Sequence, residues 1–103
     1  MKLVFSVNGV PIRLSVERRE HIENHHPETT NQEKEILETI NSPDCVQKGD
    51  AGTLLAVKRY GKTPVSENKY LVVAYKETSD IDGFVLIAYY QSDLRKRVII
   101  WKK

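Results

Sequence analysis

The stretch Lys69-Tyr70-Leu71-Val72-Val73-Ala74-Tyr75-Lys76, then Ser79-Asp80-Ile81-Asp82-Gly83, then Phe84-Val85-Leu86-Ile87-Ala88-Tyr89-Tyr90 decides the fold of this 103-residue chain. Two runs rich in β-branched and aromatic residues flank a short turn, as in neighbouring antiparallel strands. Their apolar residues are consecutive rather than strictly alternating. Both faces of the sheet are therefore expected to be largely covered.

Outward from this pair, more strands follow. Val98 to Trp101 reads as the last strand. On the N-terminal side, Thr53 to Tyr60 is a strand, separated by a loop over Gly61 to Asn68. Cys45-Val46-Gln47 precedes it, with a turn at Lys48-Gly49-Asp50-Ala51-Gly52. These segments predict an antiparallel meander of about four to five strands, since short turns join antiparallel neighbours.

Two helices come before the meander. Ser15 is a candidate N-cap, and Glu17 in the first turn suits the helix dipole. That helix runs to about His25, because Pro27 disfavours the α region at His26. Thr30-Asn31-Gln32-Glu33 has the form of a capping box. Ile36, Leu37 and Ile40 then make one buried stripe, and Asn41-Ser42-Pro43 ends the second helix. At the N-terminus, Leu3, Phe5 and Val7 lead to Asn8-Gly9, which predicts a type I′ hairpin turn, with the chain returning over Val10 to Leu14. The expected class is α+β: an N-terminal β-hairpin, two helices on one face, and the meander, in one domain over residues 1–103.

Composition narrows the function classes. A hydrophobic share of 40% is enough for one core. No run of about 18 apolar residues is present, so no membrane partner is expected. The apolar part of Met1 to Val7 ends at Asn8-Gly9, too short for a signal-peptide core of roughly 7–15 residues. The lone cysteine, Cys45, cannot form an internal disulfide and is expected to be buried. A cytoplasmic location follows as an expectation. The net charge of +2 does not announce nucleic-acid binding, although Lys58-Arg59 with Lys62, and Arg95-Lys96-Arg97 with Lys102-Lys103, form local basic clusters.

All three histidines fall in His21-Ile22-Glu23-Asn24-His25-His26-Pro27-Glu28. Imidazole exchanges protons near neutrality, and a carboxylate stands beside it, so this is the candidate site of chemistry. His21 and His25 share a helix face, whereas His26 is turned about 140° from His21. A rival use is zinc, with the His21-x-x-x-His25 pair and Glu28 as a third ligand. No second Cys or His completes four ligands, so no metal is expected. Tyr60, Tyr70, Tyr75, Tyr89 and Tyr90 suit strands, and an aromatic platform for RNA is an alternative use of some of them.

The segments "LSVERREHIENHHPE" (14–28), "EILETINSPD" (35–44), "KYLVV" (69–73), "GFVLIAY" (83–89) and "VIIWK" (98–102) resemble small cyanobacterial and phage proteins of the PBECR type, in the barnase–EndoU–colicin–RelE fold group. The resemblance covers nearly the whole chain. It implies a metal-independent RNase-like domain without a cofactor, often a toxin neutralised by an antitoxin-like protein. The matching catalytic positions are His21, His26, a basic residue on the next strand (Arg59 or Lys58, with Arg59 taken as the catalytic one) and Tyr89. Glu28, Lys58 and Tyr75 are the accompanying candidates for substrate binding.

RNA cleavage of this kind uses the substrate's 2′-hydroxyl as nucleophile. It needs a base, an acid and fixed cations. Arg59 can clamp phosphate in a bidentate fork, which Lys58 cannot. Leu55, Val57 and Arg59 share one strand face, and Leu54, Ala56, Lys58 and Tyr60 the other. The second face is the less apolar and is taken as the outer one, with Arg59 at the inner end. Which of the two cations faces the histidines stays open at this point. Ile87 stands where family members carry a threonine, which favours a catalytically inactive RNA- or protein-binding module as the alternative. A purely structural role without nucleic acid is the third reading.

Overall fold

The computed structural model describes every residue from Met1 to Lys103. In chain order it contains β1 (Lys2–Phe5), β2 (Pro11–Leu14), α1 (Val16–His25), a 3₁₀ turn (Pro27–Thr29) and α2 (Glu33–Asn41). Then come β3 (Cys45–Lys48), β4 (Leu54–Lys62), β5 (Glu67–Ser79), β6 (Asp82–Gln91) and β7 (Ile99–Lys102). The fold is α+β, with one seven-stranded sheet in the order β1-β2-β6-β5-β4-β3-β7.

The expected meander is present from β3 to β6, all antiparallel. Two features depart from it. The N-terminal hairpin joins the sheet through a parallel pair, Ile12 with Gly83 and Arg13 with Phe84, so the sheet is mixed. The last strand does not continue beside β6 but lies on the far edge, antiparallel to β3. Sequence pattern identifies strands, whereas their order depends on long-range pairing.

The hairpin turn also differs from type I′. Only Gly9 has a positive φ, +76°. Gly9 N–H donates to Ser6 O at 2.9 Å and Ser6 N–H to Val10 O at 2.9 Å. This is the longer hairpin loop with glycine in the left-handed position.

Ser15 caps α1 as expected, its hydroxyl accepting from Arg18 N–H at 3.0 Å. The capping box of α2 does not form. Pro27, Glu28 and Thr29 wind into the 3₁₀ turn, Asn31 takes φ +63°, and α2 starts from Gln32 with no side-chain cap. The Thr29 hydroxyl instead donates to His26 O at 2.7 Å.

Both helices pack on one face of the sheet. Ile22, Ile36 and Ile40 meet Ile12, Leu14, Ala56, Leu71, Val73, Tyr75, Val85 and Ala88 there. Burial of each Ile, Leu or Val side chain among them stabilises the fold by about 1.5–3 kcal/mol. The face of Ala56 and Tyr60 is therefore the covered one, not the outer one. The Tyr60 hydroxyl donates to Glu38 Oε1 of α2 at 2.7 Å, which explains a polar tip on an inward strand position.

The opposite face holds a smaller cluster of Cys45, Leu55, Val57, Val72 and Ala74. Burial raises the Cys45 thiol pKa. Register between β5 and β6 slips at Ala74/Tyr75, where Tyr75 pairs with Val85 and Leu86 has no partner. This bulge turns Leu86 to the side of Ile87 and Tyr89, where strict alternation would have put it with Ala88 and Tyr90.

Residues 92–98 connect β6 to β7 across this second face. Lys48 N–H donates to Val98 O at 2.8 Å, and the buried Gln47 side chain donates to Arg95 O at 3.0 Å. Four strand spacings of about 4.8 Å and a four-residue descent require roughly 23 Å. Eight steps reach at most about 26–29 Å, so this strap is nearly extended.

Candidate functional site

β2 pairs with β6 only at Gly83 and Phe84. Further along, α1 and the 3₁₀ turn flank that edge. Arg18 Nη1 donates to Leu86 O at 3.3 Å. At the end of α1, His26 reaches round the edge to the strap-bearing face. Its ring centroid lies 5.6 Å from that of Tyr89, tilted by 34°.

His26 is held by its backbone. Its N–H donates to Ile22 O at 2.7 Å, and its carbonyl accepts from Thr29 N–H at 2.9 Å. Its Nδ1 lies 3.5 Å from Glu28 Oε2, two residues on in the 3₁₀ turn. That separation is an ion-pair contact and not a short hydrogen bond. His26, Glu28 and Tyr89 are thus brought together, and all three are partly accessible.

Tyr89 borders a cavity of about 210 Å³ on the same face, together with Ile87, Leu55, Ala74, Asp50 and Arg97. Arg97 comes from the strap. Sequence reading placed it in a basic cluster without assigning it to the site. The signal was the Arg-Lys-Arg run, and its position depends on the path of the strap. The apolar Ile87 lines the same cavity.

Arg59 occupies the same face. It pairs with Tyr70, which pairs with Gln91, two residues along from the row of Val57, Val72 and Tyr89. Two strand spacings and two residues put the Arg59 and Tyr89 backbones about 12 Å apart. The exposed guanidinium donates to Asn68 Oδ1 at 3.2 Å. Lys58 points to the helix side, where its ammonium donates to Ser42 O at 2.9 Å, at the C-terminal end of α2. A cation there complements the helix dipole.

Two candidates lie elsewhere. His21 is exposed on the outside of α1 and stacks on His25 with centroids 4.2 Å apart. Partial desolvation, then the charges of His25 and Arg18, lower its pKa. Tyr75 is fully buried among the helix-side core residues, and its hydroxyl has no partner. Burial, and then the charge of Glu77, raise its pKa. Tyr75 is a core residue and cannot touch a substrate on the opposite face.

The rival metal use finds no geometry, since no group of three His, Cys, Asp or Glu side chains forms. No helix is long and apolar enough to cross a membrane. Comparison with protein-family models, with curated proteins and with solved structures finds no match to this chain.

Proposed function

We propose that this protein binds RNA across the strap-bearing face and cleaves it without metal, as an RNase-like domain of the barnase–EndoU–colicin–RelE group. The observation that carries the reading is the partly exposed His26 imidazole, set between the Glu28 carboxylate and the Tyr89 ring. In this reading His26 Nε2 takes the 2′-hydroxyl proton. The 2′-oxygen then bonds to phosphorus as the P–O5′ bond breaks. The products are a 2′,3′-cyclic phosphate and a 5′-oxygen, which takes a proton from water while the imidazolium of His26 returns its proton to solvent. One positioned base contributes roughly 10²–10⁴-fold. Arg97 and Arg59 stabilise charge on the phosphate, and Tyr89 stacks on a base. A cytoplasmic location and an antitoxin-like protein partner belong to the same proposal.

A second reading, binding without cleavage, has its own support. In-line displacement wants a second proton-transfer group opposite the first. Glu28 adjoins His26 on the same side, His21 lies outside the contact, and Ile87 brings no hydroxyl to the cavity. Incubation with transfer RNA and total RNA in EDTA tests the two. Cleavage with cyclic phosphate ends supports the enzyme. Salt-dependent binding with intact RNA supports the binding module, because phosphate contacts release counterions.

A further inference from the structure

The free edge of β7 is a second feature of this surface, independent of whether His26 cleaves RNA. β7 pairs with β3 alone, so its other edge presents unpaired backbone groups. Such edges are usually short, charged or covered. β7 is short but its first half is apolar and uncovered: Ile99 and Ile100 are 46% and 50% exposed, and Val98 just before them 65%. The register with β3 skips Ile100, so that residue has no cross-strand partner.

Each face of this edge carries a groove. On the strap side, a groove of about 640 Å³ lies beside Leu94, Arg95, Lys96 and Ile99. On the helix side, a groove of about 450 Å³ lies beside Pro43, Trp101 and Lys103. An added strand would send alternate side chains into the two grooves while its backbone pairs with β7. Charge selects the occupant. Residues 95–103 contain Arg95, Lys96, Arg97, Lys102 and Lys103 and no acid, a formal charge of +5. Residues 1–94 hold eleven basic and fourteen acidic residues, a formal charge of −3.

We infer that the β7 edge docks an extended acidic segment of another protein as an eighth strand of the sheet. A second copy of this chain fits poorly. Antiparallel pairing of two β7 strands about Ile100 would set Lys103 of one against Arg97 of the other. Like charges directly opposed destabilise a strand pair. RNA would use the cations but neither the apolar edge nor the backbone pairing.

The test titrates the intact chain with a ten-residue peptide of alternating valine and glutamate, and separately with its valine–lysine counterpart and with oligouridylate. Backbone amide shifts are followed by NMR. Saturable shifts confined to β7 and the rims of its two grooves, residues 94–103 and 41–43, are expected for the glutamate peptide alone, weakened at least tenfold in Ile100→Glu. Ile100 is half exposed, so that variant should keep its fold, and its unchanged shifts elsewhere verify this. No saturation, equal binding of the lysine peptide, or shifts at Tyr89 instead would overturn the inference. Loss of oligouridylate binding in Ile100→Glu would assign the edge to nucleic acid. A concentration-dependent dimer of the free chain, abolished by the same variant, would assign it to a second copy.

Discussion

His26 and Tyr89 meet with ring centroids 5.6 Å apart, although one ends a helix and the other lies on the sheet face opposite the helices. The contact exists because β2 leaves the upper edge of β6 unpaired. The helix end can then pass round the strand. Glu28 fixes the polar side of the same imidazole.

His26→Ala should lower RNA cleavage by roughly 10²–10⁴-fold, the contribution of a positioned base. The capping bonds of His26 are made by its backbone and survive the change. Stability should therefore move by less than about 1 kcal/mol, as for surface substitutions. Urea unfolding beside a cleavage assay checks both. A large loss of stability with cleavage retained would remove His26 from the chemistry.

Arg97→Ala should weaken RNA binding more than Lys58→Ala does, since Arg97 borders the Tyr89 cavity and Lys58 is tied to the end of α2. Arg59→Lys should weaken cleavage by loss of the bidentate fork. Binding measured across a salt series should show a shallower slope for Arg97→Ala. Equal slopes in all variants would place the phosphate contacts elsewhere.

Gly83→Ala should destabilise the fold by about 1–3 kcal/mol through overpacking. A Cβ at Gly83 would stand 2.5 Å from Lys76 O and 2.6 Å from Ile12 Cδ1, at the parallel junction of β2 and β6. Gly61→Ala is the control, as nothing lies within 4 Å of that Cβ. Denaturant midpoints that match in the two variants would contradict this account of the junction.

Alkaline pH should weaken the fold. The Tyr90 hydroxyl donates to Gln32 Oε1 at 2.6 Å. Burial first, then the charges of Glu35 and Glu28, push its pKa up to about 12. An unfolded tyrosine ionises near ~10. The folded value is the higher one, so this stability is complete below about pH 10 and lost as pH rises from there towards the folded value. Tyr60 and Tyr75 shift in the same direction. Tyr90→Phe should lose about 1 kcal/mol at neutral pH with its hydrogen bond. Its alkaline decline should be shallower than that of the parent chain, and identical declines would exclude Tyr90 as a source.

The sequence by itself determined the local elements. Runs of β-branched and aromatic residues between turns marked the meander strands, Ser15 the start of α1, and Pro27 its end. These are properties of a few neighbouring residues, set by sterics and short-range hydrogen bonds. The Tyr70–Tyr75 run could not say which tyrosine is core and which is surface, because period 2 separates two faces without telling which one the helices cover. The tertiary structure decided that. It buried Tyr75, turned Lys58 to α2 and Arg59 to the open face, and carried Arg97 to Tyr89 on the strap. It also replaced the Thr30 capping box with a 3₁₀ turn and moved β7 to the far edge. Such outcomes depend on contacts between residues far apart in the chain, where the burial of whole faces outweighs local preference.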